Sequence, residues 1–185
     1  MFIKSVAFLK DYRNFKMDDS FDLERPIVLL VGDQGSGKST LISEIFPTNK
    51  KSENVKIDAK ACNVFIFDFE KNNPRTKGYL EDDSAKLKMQ LSTMWCSHGE
   101  ALVNYSIEAL KKAKDCVVLL DEPETALSIR NQYRLAKEIK NSVKRGCQCI
   151  IATHCIPLIE SQKEVLSLEH KAWMSSKDFI KEQKS

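Results

Sequence analysis

Gly32-Asp33-Gln34-Gly35-Ser36-Gly37-Lys38-Ser39-Thr40 fits the pattern G-x-x-x-x-G-K-[ST] and adds a third glycine at Gly35. A loop of this kind must curl around phosphate oxygens with its backbone N–H groups aimed inward, where side chains would obstruct. The helix that follows presents the positive end of its dipole to the same anion. Residues Gly32 to Thr40 are therefore the candidate nucleotide-binding loop. Lys38 is placed to reach the β- and γ-phosphates, and the Ser39 hydroxyl to ligate Mg²⁺.

The flanks agree with that reading. Ile27-Val28-Leu29-Leu30-Val31, directly upstream, is wholly apolar, as a buried parallel strand is. Downstream, a helix is expected from Lys38 to just before Pro47. Further strands are expected at Asn63–Phe69, Cys116–Leu120, Cys147–Thr153 and Val165–Leu168, and a helix from Ser128 to Lys144 with Gly146 closing it. Ser84–Trp95 and Gly99–Lys114 carry helical spacing, and Lys71–Asp83 reads as a loop. Ser175 is expected to start a short last helix, with Asp178 as its capping-box partner. At the front, Phe2–Leu9 and Asn14–Met17 read as strands around a turn near Tyr12. Strands alternating with helices predict an α/β P-loop NTPase fold, a mostly parallel sheet flanked by helices.

Composition narrows the setting. The chain has 185 residues, which suits one domain spanning 1–185. A net charge of +3 does not by itself call for nucleic acid. No apolar run reaches membrane-span length and no leader pattern opens the sequence, so membrane insertion is not expected and a cytoplasmic location is. The six cysteines sit mostly in apolar runs, as thiols of a reducing compartment do. Cys147, Cys149, His154 and Cys155 match no zinc-module spacing.

A second chemical motif closes the strand Cys116-Val117-Val118-Leu119-Leu120 with Asp121-Glu122-Pro123-Glu124. The C-terminal edge of a buried parallel strand is where phosphate-site ligands gather. Asp121 is the candidate Mg²⁺ ligand beside Ser39. Glu122 is the candidate base that orients or deprotonates the attacking water. His154, after the strand ending Ile150-Ile151-Ala152-Thr153, stands at the same sheet edge and can hydrogen-bond the γ-phosphate or that water. Lys38, Glu122 and His154 form the expected catalytic set.

Asp-Glu-Pro in this position resembles the ABC-ATPase form of the motif. Cys96-Ser97-His98-Gly99-Glu100 is similar to that family's signature, and its S-H-G-E form resembles the one in small stand-alone ABC ATPases related to RecF and the SMC proteins. His154 resembles the family's switch histidine. The opening Ile3-Lys4-Ser5-Val6 and Tyr12-Arg13-Asn14-Phe15 look like the first strands of RecF/SMC-type heads, and there an arginine faces the nucleotide, which makes Arg13 a candidate. The resemblance spans about residues 1–170. It implies an N-terminal antiparallel β portion and a reduced helical insertion, about residues 84–114, that carries the signature.

The resemblance also implies a partner. In the family the signature faces the nucleotide of an opposite subunit, so Ser97, His98, Gly99 and Glu100 are expected to act across an ATP-sandwiched homodimer. A helix start with Ser97 and Gly99 suits such contact, and Ser97 with Glu100 also forms a capping box. Two departures stand out. Ser128 in Ala126-Leu127-Ser128 replaces a common aspartate, and no glutamine follows Asn63–Phe69, where Asp68 or Glu70 is the alternative. Lys38 and Ser97 are 59 residues apart, which leaves little room for the helical subdomain of transporter ATPases. The expected function is Mg²⁺-dependent ATP hydrolysis working a switch or clamp on DNA or a partner protein. The alternative is the nucleotide-binding subunit of a membrane transporter. Lys50-Lys51 and Lys111-Lys112-Ala113-Lys114 are the lysines nearest to a DNA-contacting pattern.

Overall fold

A computed structural model describes residues 2–46, 52–68, 107–108, 110–125 and 127–184. The signature residues Ser97, His98, Gly99 and Glu100, the expected helices at 84–95 and at 99–106, Glu70 and Ala126 lie outside the described residues.

Two sheets organise the described residues. The larger runs β5 (Asn63–Asp68), β6 (Cys116–Asp121), β7 (Gln148–Ala152), β3 (Ile27–Val31), β8 (Glu164–Ser167) and β9 (Ala172–Ser175). Its strands are parallel except β9, which turns back on β8. The smaller sheet is antiparallel, with β1 (Ile3–Phe8) between β2 (Ser20–Asp22) and β4 (Val55–Ala59). Among the described residues the bounded helices are α1 (Lys38–Ile45), α2 (Ile129–Lys144), α3 (Ile156–Glu160) and α4 (Ser176–Glu182). No helix among the described residues is long and apolar enough to cross a membrane.

The central strands are apolar along most of their length because both of their faces are covered. Leu29, Val31, Val118, Leu120, Cys149 and Ile151 face one side and pack with Leu135 and Ile139 of α2. Val28, Leu30, Val117, Leu119 and Ile150 face the other and pack with Leu41 and Ile42 of α1 and with the small sheet. Phe8, Phe15 and Phe21 fill that second layer, Phe8 stacked on Phe15 at 4.2 Å and Phe21 edge-on to both. Gln148, buried at the start of β7, ties the two sheets together. Its Oε1 accepts the N–H groups of Phe2 and Ile3, and its Nε2 donates to the carbonyls of Ile3 and Leu23. A buried amide satisfied in this way is stable where an unpaired one would not be.

One local expectation is corrected. Asn14–Met17 is not a strand. Arg13 and Asp18 take positive φ, Asp11 accepts the Met17 N–H, and the strand forms instead at β2, where Phe21 alone points inward. Strands β4 and β9 and helix α3 were not anticipated. At α4, Ser175 caps the helix by accepting the Lys177 N–H. Gly146, at φ +87°, closes α2 as its sequence position suggests.

Candidate functional site

The phosphate loop leaves β3 at Gly32 and enters α1 at Lys38. Gly32, Gly35 and Gly37 all take positive φ. At Gly37 a Cβ would meet the Phe15 ring at 2.8 Å, so the loop is seated on the aromatic layer beneath it. Asn14 donates to the Gly35 carbonyl, and Arg13 Nη1 donates to Thr40 Oγ1 at 3.0 Å. The segment Arg13-Asn14-Phe15 therefore braces the loop from one side. Glu169, from the turn after β8, accepts the Asp33 N–H at 2.8 Å and braces it from the other. Arg13 thus touches Thr40 at the start of α1 instead of standing free. Gln34 is exposed at the loop's tip.

Lys38 is only 5% exposed and donates to the carbonyls of Gly32 and Asp33, both at 2.9 Å, and to Ser36 Oγ at 3.4 Å. Burial pulls its pKa below the ordinary lysine value. The charges of Glu122, Asp121, Glu169 and Asp33 pull it back up. Those four carboxylates show how much negative charge converges on one ammonium.

The parallel register brings the second motif to the loop. Asp121 ends β6 opposite Ala152 of β7 and Asp68 of β5. The Ser39 hydroxyl donates to Asp121 Oδ1 at 3.0 Å. Hydroxyl and carboxylate oxygens are the donors Mg²⁺ prefers, so this pair suits that ion. Glu122 follows with φ +44°, a conformation that costs a non-glycine residue on the order of 1–3 kcal/mol. The Glu122 N–H, bonded to the Ala152 carbonyl at 2.9 Å, helps hold it there. The turn brings Glu122 Oε1 to 3.7 Å from His154 Nε2. Burial pulls the His154 pKa below its ordinary value and the Lys38 charge adds to the shift, against Glu122, so the ring is neutral near pH 7.

Of the expected residues, then, Lys38, Ser39, Asp121, Glu122 and His154 share one sheet edge. Sequence reading missed three participants. Glu124 accepts the His154 backbone N–H at 2.6 Å, Glu169 holds the loop, and Phe15 sits under Gly37. Phe15 and Glu124 lie inside motifs already noted. Glu169 carries no local signal.

A phosphate loop on a parallel sheet, with a carboxylate pair and a histidine at the same edge, defines a P-loop ATPase. The model of the ATPase family associated with various cellular activities (AAA) matches residues 28–164, and the chain belongs to that family. The DNA mismatch repair protein MutS of Thermotoga petrophila is 26% identical over 162 residues, covering 86% of this chain and 19% of that protein. The zinc import ATP-binding protein ZnuC of Acinetobacter baylyi is 25% identical over 175 residues, covering 82% of this chain and 66% of that protein. The chain thus spans less than two thirds of either relative. A nucleotide-free ATP-binding cassette from an ABC transporter shares the fold with a TM-score of 0.65 at 16% identity, over 98% of this chain and 94% of that one. The expected ABC-type architecture, with its N-terminal antiparallel sheet, is therefore present.

Proposed function

We propose that this chain binds ATP with Mg²⁺ on the Gly32–Thr40 loop and hydrolyses it within an ATP-sandwiched homodimer. The observation that carries the reading is the meeting of Ser39, Asp121, Glu122 and His154 around Lys38. Lys38 and the loop N–H groups hold the phosphates. Ser39 and Asp121 hold Mg²⁺, which when bound offsets phosphate charge. Glu122 takes the proton of the attacking water, and the neutral His154 ring bonds to the water or the γ-phosphate. Arg13 contributes through Thr40. Ser97, His98, Gly99 and Glu100 complete the site from the opposite subunit. Phosphate release from purified chain, slowed by about 10²–10⁴-fold in Glu122→Gln, tests the reading. Turnover undiminished by this substitution would overturn it.

For the output, similarity favours a nucleotide-binding subunit that drives a separate membrane partner. The fold is shared with transporter cassettes, and ZnuC is an import ATP-binding protein. The second reading, a clamp of the RecF/SMC-like kind on DNA or a protein, draws on the MutS similarity and on the short Lys38–Ser97 separation. Stimulation of turnover by duplex DNA at low salt, lost at high salt, would favour the clamp. Association with a membrane protein would favour the subunit.

A further inference from the structure

Glu124 lies two residues past the candidate base and has no part in the chemistry outlined above. Its surroundings do not suit a carboxylate. The side chain is largely enclosed, Oε2 is buried without a hydrogen-bond partner, and burial pushes its pKa up. A turn that only had to join β6 to α2 would be better served by an apolar or neutral residue. Backbone bonds already fix that turn without the side chain, Thr125 N–H to the Glu122 carbonyl and Leu127 N–H to that of Glu124. What the carboxylate does gain lies across about 30 residues, at the end of β7: Oε1 accepts the His154 N–H at 2.6 Å, and the Thr153 hydroxyl also bonds to the carboxylate. The His154 ring reaches back to Glu122 on the same turn.

We propose that Glu124 is a positioning residue for ATP hydrolysis, its carboxylate fixing the His154 backbone so that the imidazole faces Glu122 and the reacting phosphate. The inference rests on the proposed role of His154. Glu122 and His154 follow different strands, β6 and β7; the Glu122 N–H is bonded to the Ala152 carbonyl, and the His154 N–H is held by the Glu124 carboxylate. Glu124 is the strut between them, and misplacement by about 1 Å can cost about 10²-fold in rate.

The test is a kinetic series in the full chain. Glu124→Leu removes the acceptor and should lower kcat by about 10²-fold with little change in the KM for ATP, because the phosphate loop is untouched. Glu124→Gln keeps a carbonyl acceptor and should recover most of the rate. Glu124→Asp keeps the charge but withdraws it from the His154 N–H, and should lose rate while folding as wild type. Amide exchange at His154 should quicken in the Leu and Asp variants and stay slow in Gln. In a His154→Ala background, Glu124→Leu should add almost no further loss. Wild-type kcat in both the Leu and Asp variants, or losses that multiply in the double variant, would overturn the role of Glu124 and leave that of His154 standing. Full activity of His154→Ala alone would overturn the histidine assignment, and the strut with it.

Discussion

Ser39 Oγ donates to Asp121 Oδ1 at 3.0 Å, although 82 residues separate them. The contact exists because β3 and β6 are separated only by β7 and end at one sheet edge. It puts a hydroxyl and a carboxylate on one point in front of the phosphate loop. Asp121→Asn keeps the acceptor and the fold but removes the charge a divalent ion needs. The Mg²⁺ concentration for half-maximal ATP turnover should rise by about tenfold or more. Binding of ATP without Mg²⁺ should not weaken. An unchanged Mg²⁺ dependence would remove Asp121 from the metal site.

Lys38 carries the positive charge at the centre of that site. Lys38→Ala should weaken ATP binding by about 1.5–3 kcal/mol, the usual worth of a hydrogen bond to a charged group. That is roughly 10- to 100-fold in Kd, measurable by calorimetry. The fold should survive, since the loop is also held by Asn14, Glu169 and Phe15. Wild-type affinity would overturn the phosphate-loop assignment.

Gly37 has no freedom to change. Its φ of +103° disfavours any side chain, and a Cβ would lie 2.8 Å from Phe15 Cζ. Gly37→Ala should cost about 1–3 kcal/mol from backbone strain alone. Urea denaturation would read it as a lowered midpoint, accompanied by weaker ATP binding. A variant as stable as wild type would mean the loop is not locked to the aromatic layer.

The sequence disclosed the site better than its supports. Gly32–Thr40 and Asp121-Glu122 are legible because phosphate and metal chemistry restrict both residue type and spacing. The central strands are legible because burial on two faces leaves them apolar. The supports follow no such rule. Glu169 meets the loop only because β8 lies beside β3, a fact of sheet order that no local pattern carries. Strand β4 alternates Val55, Lys56, Ile57 and Asp58, yet only its pairing with β1 distinguishes it from a loop. Asn14–Met17 looked like a strand, but Asp11 turned the chain by accepting the Met17 N–H, a side-chain bond that competes with sheet pairing.

The Glu124 carboxyl has its pKa raised by burial, which makes a pH signature. Between the carboxyl value of the unfolded chain and the higher folded value, the folded state binds more protons. Stability therefore falls as pH rises through that window. Glu124→Gln has no proton to lose there. The melting temperature of the variant relative to wild type should shift in the variant's favour as pH rises from below about 4 toward neutrality. A difference that is flat with pH would mean the carboxyl is not disfavoured in the fold.

Glu122→Gln isolates the chemical step. Glutamine keeps the size of glutamate and its place beside His154 but cannot take a proton. ATP should still bind, because Lys38, Ser39 and Asp121 are unchanged. Losing a positioned base costs about 10²–10⁴-fold in rate. With hydrolysis slowed that far, the closed state should accumulate, two chains enclosing two ATP molecules, each held by Lys38 of one subunit and Ser97 of the other. Light scattering after size exclusion should then give twice the chain mass with ATP and Mg²⁺, and a smaller mean mass with ADP or with no nucleotide. The wild-type chain should show the larger species only briefly, as turnover releases it. If the variant has one mass in all three conditions while its hydrolysis is arrested, Glu122 is the base but the sandwich is wrong. Undiminished hydrolysis would remove Glu122 from the mechanism whatever the mass.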